Sequence, residues 1–148
     1  MQHKAKNLKD TSKIAKLFLS RILKKNEKNS KATVIGLSGN LGAGKTTFMQ
    51  ALAKHLGVKN KVNSPTFVIM KKYPLKKQNN FKYLFHLDAY RLKNEQELLY
   101  LGWKEIIKNK DHLVFIEWPE NVSKAIPLCT NFIYISNEDG GNRYLELR

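Results

Sequence analysis

The chain is 148 residues long, 42% hydrophobic and 26% charged, with a formal charge of +15. That content suffices for a buried core and excludes wholesale disorder. No apolar run approaches the roughly 18 residues of a membrane helix, and a single cysteine, Cys129, excludes a disulfide framework or a cysteine metal cluster. The first residues, "MQHKAKNLKDTSK", lack the apolar stretch of a secretory signal. Together these features predict one domain over residues 1–148, cytoplasmic, with no membrane contact. Of the 27 basic residues only Arg21, Arg91, Arg143 and Arg148 are arginine. A field of this sign attracts phosphate and nucleic acid, so nucleic-acid contact by charge is one expectation. The excess of lysine fits biased residue usage better than a groove of phosphate-gripping arginines.

Helical spacing of Ile14, Ala15, Phe18, Leu19, Ile22 and Leu23 predicts a helix from about Thr11 to Lys25, capped by Asp10, Thr11 or Ser12. "ATVIGLS", Ala32 to Ser38, reads as a strand buried on both faces. Phe48, Met49, Leu52, Ala53 and Leu56 line one side of a second helix, which Gly57 is placed to stop. Thr66 to Tyr73 and Phe81 to Leu87 read as strands joined by an exposed loop, a candidate hairpin. Asn94 and Glu97 have the spacing of a capping box at the start of a helix that Gly102 interrupts. His112 to Trp118 reads as a buried strand, and Asn131 to Ser136 and Arg143 to Arg148 as strands around "NEDGGN". The order predicts an α/β three-layer sandwich whose mixed sheet has a parallel centre and antiparallel additions.

Gly39-x-x-x-x-Gly44-Lys45-Thr46 matches the Walker A pattern in full, between a strand and a helix. Its glycines let the backbone wrap an anion with N–H groups turned inward, and the following helix points its positive end there. Lys45 neutralises the β- and γ-phosphates, and the Thr46 hydroxyl ligates Mg²⁺. GTPases carry Asn-Lys-x-Asp, whereas "NKDH", Asn109 to His112, has its aspartate one place too early, so ATP is the expected nucleotide.

Such a site needs an acid at the end of a neighbouring strand. Asp88 ends "KYLFHLD" and Glu117 ends "HLVFIE", where α/β sheets open onto their ligands. One of the two is expected to hold Mg²⁺ and the other to polarise water or a switch segment. Thr66 in "NSPTF" has the chain position of a switch threonine that reaches the γ-phosphate. Trp118 stacks near the nucleotide, lines a partner surface or simply packs. His86 reads as a structural hydrogen-bonding residue and Cys129 as a small packing residue.

"GNLGAGKTT", "SPTF", "HLDAYRL" and "EWPE", in that order and spacing, resemble the bacterial TsaE (YjeE) family of small P-loop ATPases needed to make threonylcarbamoyladenosine (t6A) in tRNA. The resemblance runs from the first helix to about Pro127. It implies a P-loop NTPase-like fold, with ATP held by Gly39, Asn40, Leu41, Gly42, Ala43, Gly44, Lys45, Thr46 and Thr47. It implies Mg²⁺ on Thr46 and Glu117, adenine approached near Thr11, and Glu120 lining the nucleotide. Lys45, Asp88, Thr66 and Glu117 become the catalytic set. The resemblance implies TsaD and TsaB as partners, whose complex ATP hydrolysis would reset, with tRNA contacted indirectly or by charge. Hydrolysis is expected to be slow alone, since no arginine finger is evident in the chain. The alternatives are a P-loop small-molecule kinase, disfavoured by so few arginines and no inserted lid, and a binding module that uses ATP only as a switch.

Overall fold

The computed structural model describes residues 2–40, 42–58, 69–76, 80–138 and 140–148. Among the described residues seven strands form one sheet: β1 (Gln2–Ala5), β2 (Thr33–Ser38), β3 (Met70–Pro74), β4 (Tyr83–Asp88), β5 (His112–Glu117), β6 (Asn131–Asn137) and β7 (Arg143–Leu147). Their spatial order is β1-β7-β6-β2-β5-β4-β3. β6, β2, β5 and β4 run parallel, and β3, β7 and β1 add antiparallel pairs at the two edges. The predicted mixed sheet is thus present, and β3 with β4 forms the predicted hairpin. β1 is an addition: four polar-rich residues carry no alternation to read, and pairing with β7 makes them a strand.

Helices α1 (Leu8–Asn26) and α2 (Lys45–His55) cover one face. Their apolar stripes meet Ile35, Leu37, Leu113, Phe115, Ile133, Ile135 and Leu145 in one core. Phe18 lies at its centre, fully buried, edge-on to both His3 and Phe48. On the other face α3 (Glu95–Tyr100), α4 (Trp103–Lys108) and a 3-10 segment (Pro119–Ala125) pack on Val34, Phe85, Leu87, Val114 and Ile116. The central strands are buried on both faces, and this explains why they read as continuous apolar runs rather than alternations. No helix among the described residues is long and apolar enough to cross a membrane.

The helix ends follow local rules, with one correction. Asn7, not Asp10, Thr11 or Ser12, caps α1: its side chain accepts from Asp10 N at 2.9 Å, so the helix starts three residues earlier than predicted. Leu8 remains exposed, so the apolar period contains no signal for that first turn. Gly57 (φ 81°) ends α2 as expected; Val58 N bonds Ala53 O and Gly57 N bonds Lys54 O, the paired bonds of a Schellman motif. Asn94 caps α3 by accepting from Glu97 N, while Glu97 reaches back to Lys93 N rather than to Asn94 itself. Gly102 (φ 84°) separates α3 from α4. Cys129 is exposed, contrary to the packing role expected of it, because it lies in the loop between the 3-10 segment and β6.

Phe18→Ala removes the ring that joins β1, α1 and α2. A loss of about 3–5 kcal/mol in unfolding free energy is expected, read from urea titration.

Candidate nucleotide site

The site lies where the parallel strands end. Leu37 is in register with Glu117, and Glu117 with Asp88, so the chain leaves β2, β5 and β4 at one level. The phosphate loop follows β2 directly. Gly39 must be glycine for steric reasons: a Cβ there would sit 2.4 Å from the Ile135 carbonyl oxygen. Gly44 has φ 100°, a left-handed conformation that side chains disfavour, and opens α2 as its N-cap. Asn137 at the end of β6 donates to Gly42 O at 2.9 Å, tying the loop to the sheet.

Lys45 is the first residue of α2 and is 6% exposed. Its ammonium donates to the carbonyls of Gly39 and Asn40 and lies 4.5 Å from the centre of the Trp118 ring. Burial lowers its pKa from the ordinary lysine value, and Glu117, Glu120 and Asp88 oppose that shift. Asp88 and Glu117 are 6% and 3% exposed. The Asp88 side chain accepts from Tyr90 N at 2.9 Å, and Glu117 accepts from His86 Nε2 at 2.7 Å. Trp118 (φ 58°, ψ 48°) adopts the left-handed region, a costly conformation for a bulky residue, and its ring centre lies 5.0 Å from that of Tyr90.

Gly42, Gly44, Lys45, Thr46, Thr47, Asp88, Tyr90, Glu117, Trp118 and Arg143 line one cleft of about 370 Å³. The fold therefore unites Walker residues with both strand-end acids, from three separate parts of the chain. Gly39 and Asn40 contribute carbonyls behind the cleft, and Ala43 is buried beneath the loop. Other expected residues do not line this cleft. Thr11 is buried in the first turn of α1 with its hydroxyl donated to Asn7 O, and it is absent from the cleft lining. Glu120 accepts from Ser38 Oγ at 2.9 Å and lines a neighbouring apolar pocket with Pro119, Ile126, Phe132 and Tyr134. Leu41 and Thr66 lie outside the described residues.

The donor set suits a triphosphate and a hard cation. Asp88 and Glu117, both almost wholly removed from water, stand in one cleft with Lys45 and Arg143, and burying such charge is costly unless cations balance it. Among the described residues no group of three or more His, Cys, Asp or Glu could enclose a metal ion by itself. Magnesium needs no such cage: one or two protein oxygens suffice when phosphates supply others.

Residues 5–145 match the family described as "Threonylcarbamoyl adenosine biosynthesis protein TsaE". The chain belongs to the TsaE family. It is similar to the TsaE protein of Rickettsia felis, 39% identical over 81% of this chain and 63% of that protein, so the match spans less than two thirds of that relative. With the TsaE protein of Rickettsia prowazekii it is 37% identical over 84% of this chain and 78% of that one. The crystal structure of Bacillus subtilis YdiB shares the fold, with a TM-score of 0.72 and 26% identity over 98% of this chain and 82% of that one.

In this TsaE-family chain three residues of the site went unread in the sequence. Arg143 opens β7, and its guanidinium would lie 2.8 Å from a Cβ placed on Gly44, so an arginine does stand against the phosphate loop. Asn121 donates to the carbonyls of Ala89 and Tyr90 and fixes the exit from β4. Asn137 anchors Gly42 as described above. None carries a local signal, because each acts on a segment at least 30 residues away.

Gly44→Ala should leave the fold intact and lower nucleotide affinity about tenfold. Left-handed strain of about 1–2 kcal/mol and displacement of Arg143 both oppose the loop geometry. Circular dichroism and calorimetry together check it.

Proposed function

We propose that this protein is a Mg²⁺-dependent, ATP-binding and ATP-hydrolysing accessory protein of t6A formation in tRNA, acting on a TsaD–TsaB complex. The observation that carries the reading is the single cleft in which Lys45, Thr46, Asp88 and Glu117 converge at the carboxyl ends of parallel strands. The t6A role is supported by the family and by the names of its relatives, each called "tRNA threonylcarbamoyladenosine biosynthesis protein TsaE".

Each residue has a physical task. Backbone N–H groups of the loop and the start of α2 receive the phosphates. Lys45 exchanges its bonds to Gly39 and Asn40 for bonds to phosphate oxygens, a move of one side chain that leaves the loop backbone in place. Arg143 adds a second fixed positive charge beside Gly44. Thr46 and Glu117 would hold Mg²⁺, which supplies charge neutralisation on the phosphates. Asp88, which accepts from Tyr90 N, or Thr66 would order the attacking water. Trp118 and Tyr90 pack ring against ring on one side of the cleft.

Lys45→Ala should weaken ATP binding by at least about 100-fold, because two charge-assisted hydrogen bonds at about 1.5–3 kcal/mol each are lost. Calorimetry reads this directly, and wild-type affinity would remove the cleft as the nucleotide site. Glu117→Ala should bind ATP yet lose Mg²⁺-dependent turnover, both alone and with TsaD and TsaB present. Phosphate release and t6A content of tRNA check the two halves separately.

A further inference from the structure

Beneath the acids lies a residue that the phosphate cleft does not expose. His86 is fully buried on β4, two residues before Asp88, and its Nε2 stands 2.7 Å from Glu117 Oε2 across the strand pair. A carboxylate offers only acceptors, so Nε2 must carry the hydrogen in this bond. Nδ1 is also buried and has no hydrogen-bond partner among the described residues. Among the described residues its one polar contact is with Glu117.

We propose that His86 is a positioning residue for the metal site: its Nε2–H ties one Glu117 oxygen inside the sheet and thereby fixes the carboxylate rotamer from which the other oxygen is offered to Mg²⁺. The inference rests on the reading of Glu117 as a metal ligand. The physical need is clear from the chain. Glutamate has three side-chain torsions, and an untethered carboxylate has several staggered arrangements to choose from. Near Lys45, Glu117 is also drawn toward a competing positive charge. A buried donor on the next strand, held by the β4–β5 register, selects one arrangement before any ligand arrives. Partners that orient a metal ligand typically contribute 10–100-fold to metal affinity.

The test separates metal binding from nucleotide binding. ADP affinity is measured by calorimetry in EDTA and again in Mg²⁺, for wild type, His86→Leu, His86→Gln and Glu117→Ala. In parallel, Mn²⁺ binding to the ADP complex is followed by electron paramagnetic resonance. His86→Leu is expected to keep its metal-free ADP affinity and to bind Mn²⁺ about 10–100-fold more weakly. His86→Gln, which retains an N–H near the Nε2 position, should recover most of that loss. Unchanged Mn²⁺ affinity in a folded His86→Leu overturns the proposal, as does an equal fall in both affinities, which would mark a packing role only. If Glu117→Ala keeps its metal affinity, it is the ligand assignment that fails, and the proposal falls with it for a separate reason. If His86→Leu does not fold, ¹⁵N spectra of the wild-type imidazole decide: a proton on Nε2 supports the tether, and a ring protonated on Nδ1 alone overturns it.

Discussion

The site depends on the register of three parallel strands. Leu37, Glu117 and Asp88 stand side by side because β2, β5 and β4 are paired without offset. A slip of one residue would turn each acid to the opposite face of the sheet, into the apolar layer with Phe85, Leu87, Val114 and Ile116. The apolar pattern prevents the slip. Leu113, Phe115 and Leu84 are fully buried toward α1 and α2, and Val114 and Ile116 are buried toward α3 and α4. The same residues that build the two cores thus place the two carboxylates beside the phosphate loop.

With that register set, the charges become intelligible. The chain is strongly basic, yet the centre of the cleft gathers acids. Asp88 and Glu117 are nearly withdrawn from water, and Glu120 is near enough to influence Lys45. Two of the three Lys45 ammonium hydrogens go to the Gly39 and Asn40 carbonyls, and its charge lies over Trp118. An acidic centre beside a loop of Walker A pattern fits a bare phosphate poorly and a phosphate paired with a divalent cation well.

Strain is concentrated at the same place. Trp118 occupies the left-handed region directly after Glu117, where the chain turns from β5 into the 3-10 segment. Its N–H bonds Leu37 O and its carbonyl accepts from Asn121 N. Asn121 in turn holds the carbonyls of Ala89 and Tyr90. This short network links the ends of β2, β4 and β5, so the strained turn keeps the cleft walls together. His86 and Glu117 do the same from inside the sheet.

Much of this was legible in the chain itself. Gly39 to Thr47 carries its own chemistry, because a phosphate loop is a local structure of consecutive residues between one strand and one helix. Asp88 and Glu117 could be picked out because each ends an apolar run. The elements β2, α2, β4 and β5 declared themselves by burial pattern and spacing. What the order of residues left undetermined is everything made by distant contact. β1 exists because β7 is there to pair with it. Arg143 reaches Gly44 only when β7 lies across the sheet, and Thr11 is withdrawn from the cleft by its place within the first turn of α1. Local sequence specifies elements through propensities that act over a few residues. The partners across the sheet, and with them Arg143 on the loop and His86 on Glu117, are set only when packing fixes which strands lie side by side and in what register.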